Sequence, residues 1–323
     1  MPRTPIRIGP PPGQGFALSL ALAIVAACPW RAAAETPTAP PSAAAPASDQ
    51  NSVIVHASKK AYDRQIQDFV DQAAAKTRIG QLSRWNDRIC PVTVGLTPDL
   101  DAYVSDRILA LAKTVGAPAG ELKSCRPNMV VVFSPDPQGL LDKVLKTKPH
   151  LLGWHYTDAE AKHLAVVDHP VQAWYATATQ DYHGRVTSDD PSFDWTPVTD
   201  AQDILDNATA AEGSRLRSGL QSQFASVLVV ADTSKIVGRN LGAVGDYIAV
   251  LALTRAKDQG GCRDLPSITE LFSPDCADSS IVLQATAGDL AYLRGLYSVN
   301  PTLYGDLQQG SIASEMKASL KAR

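Results

Sequence analysis

Apolar residues recur at helical spacing at Ile66, Phe69, Val70 and Ala73, which predicts an amphipathic helix ended with the help of Gly80. The short run Ser52 to His56 ahead of it predicts a strand. Pro91 to Leu96 predicts a second strand, and Leu100, Val104, Ile108, Leu111 and Val115 predict a helix with one buried stripe. Thr97-Pro98 supplies that helix with an N-cap and a proline at its first turn, and Gly116 and Pro118 close it. Met129 to Phe133 is apolar throughout, as in a strand covered on both faces, and Asp136-Pro137 opens a helix with Leu140, Leu141, Val144 and Leu145 inward.

Val171 to Thr179 predicts another strand, and Ser226 to Ala231 the most apolar one in the chain. The latter leads into a buried helix with Leu241, Val244, Ile248 and Leu251 as its stripe. Thr286 with Asp289 forms a capping box for a helix carrying Leu290, Leu293 and Tyr297, and a last helix runs from about Leu303 to Leu320. Strands alternating with helices predict a layered α+β domain with a mixed sheet packed with helices. Residues 181 to 211 break the pattern and read as a long solvated insertion. Its aspartates, Asp189 and Asp190 among them, lack the spacing of a calcium loop.

Composition alters this picture at the N-terminus. Ten of the 23 prolines fall in the first 50 residues, and no acidic residue precedes Glu35. Arg3 and Arg7, the apolar run Phe16 to Cys28 and the small residues Ala32 to Ala34 follow one another as in a secretory signal over residues 1–34. That apolar run is shorter than the roughly 20 residues a membrane helix needs. Val25-Ala26-Ala27-Cys28 offers a competing cut, after which Cys28 would carry a lipid anchor; the Ala-x-Ala end favours the cut after Ala34. Residues 35–50, rich in Pro, Ala, Ser and Thr, read as a disordered linker, and 51–323 as one globular domain.

Without residues 1–34 the chain keeps 27 basic against 33 acidic residues, a balance that argues against nucleic acid as a partner. Four cysteines remain, an even number suited to an oxidising compartment, and pairing Cys90 with Cys125 and Cys262 with Cys276 brackets one compact unit each. A zinc site is disfavoured because no Cys-x-x-Cys occurs. Neither a Gly-x-Ser-x-Gly elbow nor a phosphate-binding loop is present.

The order apolar strand, helix, tight turn and capped C-terminal helix resembles the zincin fold of zinc peptidases, and within it the matrixin-like metzincins. The residues that carry the resemblance are Pro266-Ser267-Ile268 at the turn, and Thr286-Ala287-Gly288-Asp289-Leu290 through Leu296-Tyr297 in the last of these helices. The layout is also similar to that of a family of exported proteobacterial proteins without an assigned activity.

Metzincins bind zinc through His-Glu-x-x-His-x-x-Gly-x-x-His. Aligned on Leu251-Ala252-Leu253, the resemblance places Gly245, Ala249 and Arg255 at the three ligand positions and Asp246 at the glutamate. It therefore implies a scaffold without zinc or other cofactor: a non-catalytic pseudo-peptidase that binds an unknown partner or has a structural role in the cell envelope, in the periplasm or outside the cell. The alternative is a hydrolase using Asp246, Tyr247, Arg255 and His155 in the same groove.

Five histidines cluster between positions 150 and 183 (His150, His155, His163, His169 and His183), but no two stand four apart. Surface or core-edge positions are expected for them. Trp154 and Trp174-Tyr175 are expected to be core or groove-lining aromatics.

Overall fold

A computed structural model describes residues 50–122, 124–190, 216–256, 261–277 and 281–321, with side chains from residue 59 onward. The elements are α1 (Gln50–Ala73), β1 (Pro91–Val94), α2 (Pro98–Thr114), β2 (Met129–Ser134), α3 (Pro137–Thr147), α4 (Asp158–Leu164), β3 (Val171–Gln180) and β4 (Val186–Ser188). They continue with β5 (Gln221–Asp232), α5 (Thr233–Ile236), α6 (Leu241–Leu253), α7 (Ala287–Ser298) and α8 (Gly305–Lys321). The signal expected in residues 1–34, including Cys28, and the linker expected in 35–50 lie outside the described residues, except Gln50, which begins α1.

The five strands form one mixed sheet in the order β1-β2-β5-β3-β4. β1, β2 and β5 run parallel, β3 runs antiparallel to β5, and β4 antiparallel to β3. Strand pleating sends alternate side chains to opposite faces, so β5 divides its residues between two cores. Val227, Val229 and Ala231 join the larger one, beneath α1, α2, α6, α7 and α8. Leu228 and Val230 join a smaller one with Leu141, Leu152 and Trp174, under α3 and α4. Coverage on both faces explains why β5 reads as a continuous apolar run. The architecture is thus α+β with a mixed sheet packed with helices.

Four expectations are corrected. Ser52 to His56 belongs to α1, a single helix of 24 residues; a β-branched residue costs a helix only a few tenths of a kcal/mol, too little to end it early. α1 stops at Ala73, and Gly80 instead adopts a positive φ in a turn where its N–H donates to the Thr77 carbonyl. The stripe of α2 starts at Val104, because Leu100 in the first turn is 42% exposed. The segment from 181 is not simply solvated, since Asp181, Asp189 and Asp190 are buried. Asp189 accepts from the Thr177 and Thr179 hydroxyls at 2.5 and 2.7 Å, and Asp181 from Arg185 Nε at 2.7 Å. The part of the insertion from 191 to 211 lies outside the described residues.

Cys90 lies against Cys125 and Cys262 against Cys276, with Cα atoms 5.9 and 5.3 Å apart, as two disulfides of near neighbours in sequence. On the loop-entropy estimate Cys262–Cys276 is worth about 3 kcal/mol and Cys90–Cys125, which closes the longer loop, about 4 kcal/mol. Among the described residues no helix is long and apolar enough to cross a membrane.

Candidate functional site

Helix α6 carries most of the nominated residues, and its surroundings decide what they do. Asn240 caps it by accepting from the Ala243 N–H, and every residue from Gly242 to Leu253 is buried. A buried helix end leaves carbonyls that need donors. Three aromatic side chains from distant segments supply them: Tyr175 Oη donates to the Leu251 carbonyl at 2.9 Å, Trp85 Nε1 to Ala252 at 2.8 Å and Tyr297 Oη to Leu253 at 2.9 Å. Burial raises the phenol pKa of Tyr175 and Tyr297 well above its ordinary value, which keeps both as donors.

Asp246 is held from two sides. Arg107 of α2 donates to it through Nε at 2.6 Å and Nη2 at 2.9 Å, and the Ala285 N–H donates at 2.9 Å. Donating to Asp246 raises the Arg107 guanidinium pKa above its ordinary value. Gly245 eases this approach, because a Cβ there would stand 3.0 Å from Arg107 Cδ and the arginine would have to give by a few tenths of an ångström. Ala249 is fully buried. Tyr247 is in the core, its ring edge-on to Phe272 with centroids 4.9 Å apart.

The turn and the capped helix are joined through one carboxylate. Asp289 accepts from the Ile268 and Thr286 N–H groups at 2.9 and 2.8 Å and from the Ser267 hydroxyl at 2.6 Å. No cation pairs with it among the described residues, and burial raises its pKa.

Arg255 lies just beyond the helix and faces elsewhere. It lines a cleft of about 290 Å³ along the first half of β3, with Trp154, His163, Leu164, Val166, Asp168 and Gln172 around it. β4 pairs only with Ala178 to Gln180, so this half of β3 has no neighbouring strand on that side among the described residues. Gly153 helps shape the cleft at φ 95°, where a Cβ would come within 2.6 Å of the Tyr175 carbonyl. His155 sits beside this segment, its Nδ1 2.8 Å from the Gly153 carbonyl.

The structure thus brings Arg255 to the cleft, with His155 nearby, and leaves Asp246 and Tyr247 in other packing environments. The histidines separate as well. His163 lines this cleft, while His150 lines a second pocket of about 340 Å³ over the β-bulge at Ala176 and Thr177. His169 lies 3.5 Å from Asp168, and His183 packs on Tyr182. No group of three or more His, Cys, Asp or Glu side chains able to hold a metal occurs among the described residues.

The side chains at the aligned ligand positions do not fit zinc. Glycine and alanine carry no donor, Arg255 is a cation, and Asp246 is already engaged by Arg107. Sequence reasoning missed Arg107, whose partner lies 139 positions away, and the three aromatic donors at the end of α6. No protein-family model, curated protein or solved structure matches this chain.

Proposed function

We propose that this chain is an exported, zincin-like domain in which the catalytic helix has become a structural one, and that it acts in the cell envelope by binding at the β3 cleft. The observation that carries the reading is the contrast along α6: Asp246 is spent on Arg107 and the Ala285 N–H, while Arg255 opens on a cleft. The resemblance to zincins draws support from the succession of β5, α6, the Ile268–Glu270 turn and α7. The Asp289 bonds that tie turn to helix add to it. Two disulfides and the leader suit an oxidising compartment.

Elemental analysis and calorimetry of protein purified after expression of the full chain test this. It should contain no stoichiometric zinc, show no specific melting shift with zinc or EDTA, and cleave no generic peptide. A bound ion at about 100 times its dissociation constant would add roughly 2.7 kcal/mol of stability and be plainly visible. One zinc per chain surviving dialysis would overturn the reading.

A further inference from the structure

We infer that the β3 cleft binds a monocarboxylate with a flat apolar body, anchored by the guanidinium of Arg255 and flanked by the indole of Trp154. This deepens the binding reading and rests on it.

The starting point is an under-used cation. A guanidinium presents five N–H donors and stays charged at any working pH. Among the described residues the Arg255 guanidinium makes one hydrogen bond, from Nη1 to the Lys76 carbonyl at 2.7 Å, and pairs with no carboxylate. Burial lowers its pKa, and the charge of Asp189 opposes that only in part. Asp189 is near enough for its charge to be felt, yet its two oxygens are taken by Thr177 and Thr179. A half-buried cation with spare donors facing a cleft can take an anion, and a carboxylate meets the guanidinium fork with two parallel bonds.

The rest of the lining sets the other half of the ligand. Three of its polar side chains are committed inside the protein: Gln172 donates to the Val166 carbonyl and accepts from the Asp168 N–H, Trp174 Nε1 donates to Leu164, and Tyr175 to Leu251. What remains is a mixed surface, polar at Arg255, His163 and Asp168 and apolar at Leu164, Val166 and the 43%-exposed Trp154. Asp168 adds a negative charge to the lining, so a single anionic group is favoured over a multiply charged phosphate. One cation beside an exposed indole in a cleft of about 290 Å³ suits a small aromatic acid, free or at the end of a longer molecule.

Benzoate and benzamide, which share a shape and differ in charge, make the test. Each is titrated with EDTA present, and the Trp154 indole N–H resonance, assigned with Trp154→Phe, is followed by NMR. Benzoate should shift it saturably. Benzamide should bind at least about tenfold more weakly, Arg255→Gln should weaken benzoate by a similar factor, and Arg255→Lys should fall between, because it keeps the charge and loses the fork. No saturable shift with benzoate, equal binding of the two probes, or unchanged benzoate binding in Arg255→Gln would each overturn the inference. Failure here is separable from failure of the binding reading, because zinc content and peptide cleavage are measured on unliganded protein.

Discussion

Asp246 and Arg255 stand nine residues apart at one helix, and they have opposite fates. Asp246 has two Arg107 nitrogens and a backbone N–H within 2.9 Å, leaving it little capacity for a substrate. Arg255 has one carbonyl and an open cleft. A charged side chain is free for recognition only where the fold has not already used it, and burial alone does not distinguish the two cases. The difference lies in the neighbours. Gly245 eases the approach of Arg107 to Asp246, whereas the partial pairing of β3 by β4 leaves a gap beside Arg255.

The largest expected effect tests the locked side. Asp246→Ala leaves the Ala285 N–H without its acceptor and a part-buried guanidinium without its partner, so urea unfolding should show a loss of about 2 to 4 kcal/mol. A loss below about 0.5 kcal/mol would break the contrast. Next come the donors at the C-terminal end of α6: Tyr297→Phe and Tyr175→Phe should each cost about 1 to 2 kcal/mol, because each leaves a buried carbonyl without a donor. Equal stability of both variants with the parent would remove the argument that this end of α6 is held by design.

A smaller effect sharpens the comparison from a third acid. Glu270, buried in the turn beside α6, has its pKa raised by desolvation, with the Arg263 N–H and charge opposing. A carboxylate raised on folding contributes stability that is complete below its unfolded value, near 4.3, and is lost as pH climbs through the folded value. Glu270→Gln, which keeps the acceptor, should therefore gain on the parent between pH 4 and pH 7 in urea midpoints. A gap that narrows over that interval would contradict the sign. Arg255→Gln is expected to have the smallest effect on stability, within about 0.5 kcal/mol, because it removes one partly exposed hydrogen bond and one desolvated charge together.

Periodicity made the capped α7 legible, and nearly unbroken apolar runs made β2, β5 and α6 legible, because the strands are covered on both faces and α6 is buried all round. The two disulfides were legible because their partners are near in sequence. What escaped was set by distant segments: Arg107 reaches Asp246 across 139 positions, and Trp85 reaches the end of α6 across 167. Asp181, Asp189 and Asp190 looked like surface acids because composition does not reveal turns that bury them. Ser52 to His56 misled because β-branched residues favour strands only where a partner strand exists.

The central claim, that Asp246 serves the fold and Arg255 serves a ligand, is tested most directly by measuring both properties on both variants. Unfolding free energy and benzoate affinity are determined for Asp246→Asn and Arg255→Gln beside the parent. Asp246→Asn should lose stability and bind benzoate within about twofold of the parent, and Arg255→Gln should keep its stability and lose binding by about tenfold or more. A stable Asp246→Asn that no longer binds, with Arg255→Gln binding like the parent, would contradict the account.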